Sequence, residues 1–118
     1  MSVVVYGIAN CDSVKKVRVW LDAQGVAYTF HDYKKYGVPE AELTRWVAAK
    51  GWGIVLNRKG TTWRGFDDSV KASVVDDASA IVVMLANAST IKRPVVTRVD
   101  VVIVGVDLQA LAALSPNG

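Results

Sequence analysis

Tyr6-Gly7-Ile8-Ala9-Asn10-Cys11-Asp12-Ser13 follows the apolar run Val3-Val4-Val5. It precedes a segment in which Val14, Val17, Trp20 and Leu21 are apolar while Lys15, Lys16, Arg18 and Asp22 are charged. Apolar residues spaced three and four apart mark a helix, so the stretch reads as strand, tight loop, helix. Its only cysteine stands at the loop's end. Asp12 or Ser13 is expected to cap the helix by accepting a hydrogen bond from one of its first N–H groups. A thiol held there faces unpaired N–H donors and the positive end of the helix dipole, which favour the thiolate, the nucleophilic form of sulfur. The bland reading, a small buried apolar residue, fits less well, because Cys11 lies in a loop containing Gly, Asn, Asp and Ser.

Outward from this stretch, the helix spans about residues 13–24 and Gly25 stops it. Residues 26–33 alternate loosely through Val26, Tyr28, Phe30 and Asp32 as a second strand. Strand, helix and strand within about thirty residues make a βαβ unit with parallel strands. Cys11 then sits at the carboxyl end of the first strand, where open α/β sheets place their sites. Lys34-Lys35-Tyr36-Gly37 is expected to be a loop, and Pro39 suits the first turn of a helix to about Lys50, with Leu43, Trp46 and Val47 inward. Trp46 and Trp52 are both expected in the core. Gly51-Trp52-Gly53 ends that helix, and the short apolar run Ile54-Val55-Leu56 leads into a polar loop, Asn57-Arg58-Lys59-Gly60-Thr61-Thr62-Trp63-Arg64-Gly65. Helices over residues 67–72 and 76–88 begin with acidic pairs, which suit the helix dipole. Pro94 belongs at the start of a strand. The valine-rich runs on either side of Arg98-Val99-Asp100 predict an antiparallel hairpin, Asp107 caps a last helix to about Leu114, and Ser115-Pro116-Asn117-Gly118 is expected to fray. βαβ, a helical block and ββα together predict an α/β protein with a four-stranded mixed sheet.

The totals bound the function. A chain of 118 residues, 52% hydrophobic and 21% charged, is expected to form a single globular domain. No apolar run approaches a membrane span. The first residues lack the basic region of a signal peptide, and one cysteine cannot form an internal disulfide. Cytoplasm is the expected location, without membrane association. A net charge of +3 suits a small anion and lacks the dense basic stripe that argues for nucleic acid. His31, the lone histidine, has no companion for a metal site and is expected to be structural. Lys15 and Lys16 equally suit a solvated helix face.

Several stretches together resemble the arsenate reductase (ArsC)/Spx family, most closely its YffB-like branch. They are Tyr6-Gly7-Ile8 through Cys11-Asp12-Ser13-Val14-Lys15-Lys16, Phe30-His31-Asp32-Tyr33, Leu56-Asn57 through Gly60-Thr61-Thr62-Trp63-Arg64, and Ile91-Lys92-Arg93-Pro94-Val95. The resemblance implies a thioredoxin-like fold with a helical insertion at about residues 37–90 and a cis proline at Pro94. It places Cys11 at the nucleophile and Arg93 at the anion-binding arginine before proline. Either Lys59 or Arg58 takes the place of the arginine of the middle loop. The family's third arginine, in the final hairpin near Val104-Gly105-Val106, is absent, and Arg98 lies on the other side of the strand. Losing a bidentate guanidinium weakens recognition of a tetrahedral oxyanion, so the resemblance points to a glutathione-dependent thiol reductase rather than an efficient arsenate reductase. The expected site is Cys11 with Arg93, Lys59, Arg58, Lys15, Asn10 and Pro94. No bound cofactor is implied. Glutathione is the expected cosubstrate, glutaredoxin an optional partner, a small oxyanion or disulfide the substrate, and the chain a monomer. The alternative is a non-catalytic, Spx-like regulator that binds a protein such as RNA polymerase. Val14 occupies the second cysteine's place in the C-x-x-C that Spx proteins usually carry, which weighs against it.

Overall fold

The computed structural model describes residues 2–115. In chain order the elements are β1 (Val3–Gly7), α1 (Asp12–Ala23), β2 (Tyr28–Asp32), α2 (Tyr33–Tyr36), α3 (Glu40–Lys50), α4 (Trp52–Val55), α5 (Thr61–Arg64), α6 (Asp68–Ser73) and α7 (Asp77–Ala86). A 3₁₀ turn (Ala88–Thr90), β3 (Val95–Arg98), β4 (Val101–Val104) and α8 (Leu108–Ala112) follow. The expected fraying of Ser115-Pro116-Asn117-Gly118 falls, beyond Ser115, outside the described residues. The chain forms two compact units. One joins the segment up to Gly37 with that from Arg93 onward, and the other is Val38–Lys92.

The first unit holds the four-stranded mixed sheet, in the order β2-β1-β3-β4. β1 runs parallel to β2 and antiparallel to β3, and β3 is antiparallel to β4. The period of two in the valine runs sends Val3, Val5, Val96 and Ile103 to one face. There they pack with Val17 and Leu21 of α1 and with Leu111 and Leu114. This burial of apolar surface, worth about 25 cal/mol per Å², fixes α1 along the sheet. Gly7 lets it approach, because a Cβ there would stand 2.7 Å from Val14 Cγ2. Asp107 caps α8 as expected, accepting from the Ala110 N–H at 3.1 Å. The helix ends at Ala112.

Two boundaries depart from the sequence reading. The second strand is shorter than 26–33, because Asp32 accepts from the Lys34 N–H at 2.9 Å and turns the chain into α2, where a loop was expected. The hairpin turn is Val99-Asp100 alone, with Val99 at φ 53°.

The second unit is helical. Gly51, at φ 87°, ends α3 in a conformation that glycine adopts freely, and Pro39 is its N-cap, one place ahead of the first turn. Leu43, Trp46 and Val47 are buried as the spacing predicts. Trp52 is a correction. It opens α4, is only partly buried, and carries the Arg58 guanidinium 5.3 Å from its ring centroid. Residues 61–64 are a helical turn, not a loop. α7 begins with a full capping box, in which Asp76 accepts from the Ser79 N–H at 2.9 Å and Ser79 Oγ accepts from the Asp76 N–H at 3.1 Å. An isolated antiparallel bridge, Leu56 to Ile91, closes the unit.

Candidate functional site

Cys11 itself, not Asp12 or Ser13, is the N-cap of α1. Its backbone is extended (φ −142°, ψ 123°), and its carbonyl accepts the first helical hydrogen bond, from the Lys15 N–H at 2.9 Å. The expected capping by Asp12 or Ser13 is therefore corrected. Both residues have already entered the helix, so their side chains lie past the amides they would have to meet. Asp12 contributes instead as an acidic group in the first turn. No side-chain hydrogen bond from the cap residue closes this end, although the position is one where serine or aspartate usually stands. The sulfur is not sealed, since Cys11 is half-buried, while Asn10 and Lys15 are exposed beside it.

The same unit supplies Arg93 and Pro94. Their peptide bond is cis, as the resemblance implies. Pro94 is buried and Arg93 half-buried, and the Gly105 N–H donates to the Pro94 carbonyl at 2.8 Å. Among the described residues, no carboxylate lies within ion-pairing distance of Arg93.

Tyr33 was not among the expected site residues. It is 5% exposed, and among the described residues its hydroxyl has no hydrogen-bond partner. Burial pushes its phenol well above the ordinary tyrosine range; Tyr6 adds to the shift, and the positive charge of Arg93 opposes it. The phenol is therefore protonated at neutral pH. Only the short helix that follows Asp32 brings it inward, and no local pattern announces that. His31 is tied in as an ordinary structural residue. Its Nε2 donates to the Gly37 carbonyl at 2.8 Å, and its ring centroid lies 5.1 Å from that of Tyr6 and 5.5 Å from that of Tyr36.

Arg58 and Lys59 belong to the second unit. There they line a cavity of about 240 Å³ with Gly53, Ile54, Leu56, Asn57 and Lys92. Lys92 was not anticipated as a companion, because it lies 33 positions beyond Lys59 and only the bridge at Leu56 and Ile91 brings it alongside.

Comparison with known proteins assigns the family. The ArsC family model matches residues 6–114. The chain belongs to the ArsC family. An uncharacterized protein of Haemophilus influenzae is 37% identical over 103 residues, covering 87% of this chain and 90% of its own. Among solved structures, the YFFB protein is 49% identical with a TM-score of 0.92, covering 97% of this chain and 99% of its own. An ArsC-related protein from Brucella melitensis is 46% identical with a TM-score of 0.75, covering 96% and 93%. The arsenate reductase from Vibrio cholerae, at 22% identity and a TM-score of 0.76 over 95% and 97%, shares the fold. This ArsC member thus has the thioredoxin-like α/β fold and belongs to an arsenate-reductase-like family. Among the described residues, no group of acidic, histidine and cysteine side chains could hold a metal ion, and no helix is long and apolar enough to cross a membrane.

Proposed function

We propose that this ArsC member is a monothiol oxidoreductase that uses glutathione as its cosubstrate. Cys11 as thiolate attacks the glutathionyl sulfur of a mixed disulfide R–S–S–G. A new S–S bond forms between Cys11 and the glutathionyl sulfur, the S–S bond of R–S–S–G breaks, and R–S⁻ leaves with the electron pair and takes up a proton. A second glutathione thiolate, or glutaredoxin, attacks the glutathionyl sulfur in turn, releasing the Cys11 thiolate and an oxidised disulfide. Net, one mixed disulfide is reduced and one glutathione pair oxidised. The chain has no second cysteine, so resolution must come from outside.

The observation that supports this reading is the half-exposed sulfur at the cap of a twelve-residue helix, α1. Helix amides and dipole stabilise negative charge at that place. Arg93, without a carboxylate partner among the described residues, is suited to hold a glutathione carboxylate or an oxyanion. Asn10 next to Cys11 and Lys15 in the first turns of α1 are both exposed and suited to meet the bound tripeptide, and backbone groups beside Pro94 suit its extended form.

Intact-mass measurement after incubation with oxidised glutathione tests it. The expected result is one glutathionyl group on Cys11, removed by excess glutathione, with turnover of a glutathione mixed disulfide at least tenfold slower in Arg93→Ala. No adduct, or an adduct that persists in excess glutathione, sinks the proposal.

A further inference from the structure

The β1–β2 pair has a second face, turned away from the core around Val3 and Val5. On it Val4 and Tyr6 stand in register with Thr29 and His31. With Phe30 and with Tyr36 of α2 they line a cleft of about 490 Å³, all of it within the first unit. Small-molecule sites usually measure ~300–1,000 Å³, and this cleft has that size. Neither Cys11 nor Arg93 is among its lining residues. Three of its rings are held together. His31 Nε2 donates to the Gly37 carbonyl at 2.8 Å, which ties the end of α2 to β2. The ring centroids of Tyr6 and Tyr36 then stand 5.1 and 5.5 Å from that of His31, the spacing of tilted aromatic pairs. Phe30 is engaged elsewhere: it packs against the core, and the Arg18 guanidinium lies 4.1 Å from its ring centroid. Tyr36 is 70% exposed, so a guest in the cleft would remove apolar ring surface from water.

The lining selects the guest. It contains no carboxylate, ammonium or guanidinium, so a charged guest would lose water without gaining a partner of opposite charge. A cation drawn to the ring faces would also meet the field of Arg93, whose charge reaches Tyr33, a ring 6.1 Å from His31. A saturated apolar guest gains burial alone, whereas a flat ring adds offset or edge-to-face contacts with the aromatic side chains. The Thr29 and Tyr36 hydroxyls suit one polar atom on that ring. We infer that Tyr6, His31 and Tyr36 form a binding site for an uncharged aromatic group, carried either by a free small molecule or by the R group of the mixed disulfide R–S–S–G. The second source rests on the thiol chemistry proposed above; the binding itself does not.

Titration of the Cys11→Ser protein with 2-naphthol at neutral pH, followed by backbone amide shifts, tests this. Saturable shifts are expected at residues 4–6, 29–31 and 36–37. Affinity should be at least about fivefold weaker in Tyr36→Ala and within about twofold of the parent in Tyr36→Phe, because the ring makes the contact. Decahydro-2-naphthol, the saturated counterpart, should bind at least about fivefold more weakly than 2-naphthol. Turnover by the protein with Cys11 intact then distinguishes the sources. A KM for the naphthyl mixed disulfide of glutathione well below that for the hydroxyethyl one, with the advantage lost in Tyr36→Ala, puts the aromatic group on the thiol substrate. Equal KM values, or no turnover of either, alongside saturable naphthol binding assign the site to a free aromatic molecule. Both outcomes support the site. Shifts that rise without saturation, that map outside these residues or that are unaltered in Tyr36→Ala overturn it, as does equally tight binding of the saturated ring or of tetramethylammonium. Naphthol binding is read without the thiol, so a failure of the thiol chemistry and a failure of the cleft are seen separately.

Discussion

The starts of α1 and α7 solve the same physical problem in opposite ways. Each helix leaves its first N–H groups without partners inside the helix. At α7 the chain closes the end itself, through the reciprocal hydrogen bonds of Asp76 and Ser79. That capping holds the Asp76 carboxyl below the usual carboxylate range. At α1 the cap position holds a cysteine and no side-chain hydrogen bond closes it. A helix end sealed by its own sequence contributes stability alone, whereas one left open can stabilise a charge that appears during a reaction.

The strongest way to break this comparison is to seal the open end. Cys11→Ser places a favourable capping oxygen at α1. Glutathionylation and turnover are expected to vanish, while the unfolding free energy in denaturant rises by about 0.5–1 kcal/mol. A variant that loses stability along with activity would show that the sulfur holds the helix in place. The next effect sharpens the role of position. Gly7→Ala drives a methyl group into Val14, so overpacking of about 1–3 kcal/mol is expected. The Cys11 amide should shift in NMR spectra, because α1 must move outward from β1.

At the sealed end, Asp76→Ala is expected to lower the thermal midpoint with no change in Cys11 glutathionylation. The sign of its pH dependence follows from the depressed carboxyl. The carboxylate's contribution is present above the unfolded value and is lost as pH falls through the lower folded value. Parent and variant should therefore converge in stability in strong acid and diverge towards neutrality.

The smallest effect concerns Tyr33, in the first unit, whose hydroxyl has no hydrogen-bond partner among the described residues. Tyr33→Phe removes a hydroxyl whose burial costs free energy, so stability should stay level or rise by up to about 1 kcal/mol. The raised phenol loses its stabilising contribution as pH climbs past the unfolded value of about 10. The variant should accordingly unfold less steeply in alkali. A loss of 2 kcal/mol or more at neutral pH would instead mean that the hydroxyl is paired within the fold.

Periodicity and turn chemistry carried much of the architecture. Alternating valines around Val5, Val96 and Ile103 declare strands, Val14, Val17 and Leu21 declare α1, and Asp107 declares the last cap, because each signal lies within a few residues of what it specifies. The four-residue helices α2, α4 and α5 carry no such signal, since a single turn has no period to read. Trp52 departs from its pattern for a related reason: its size suggests the core, but Gly51 and Gly53 on either side leave it on a short helix, with an arginine over its ring.

The sequence by itself determined the order of strands and helices, the family, and the cysteine at a helix start, all of which depend on neighbours along the chain. Tertiary structure alone decided that Cys11 is the cap residue itself, that Tyr33 is buried within reach of Arg93's charge, and that Lys92 joins Arg58 and Lys59. The first turns on where one backbone becomes helical, and the other two on packing and bridging between segments far apart in sequence, which no local pattern encodes.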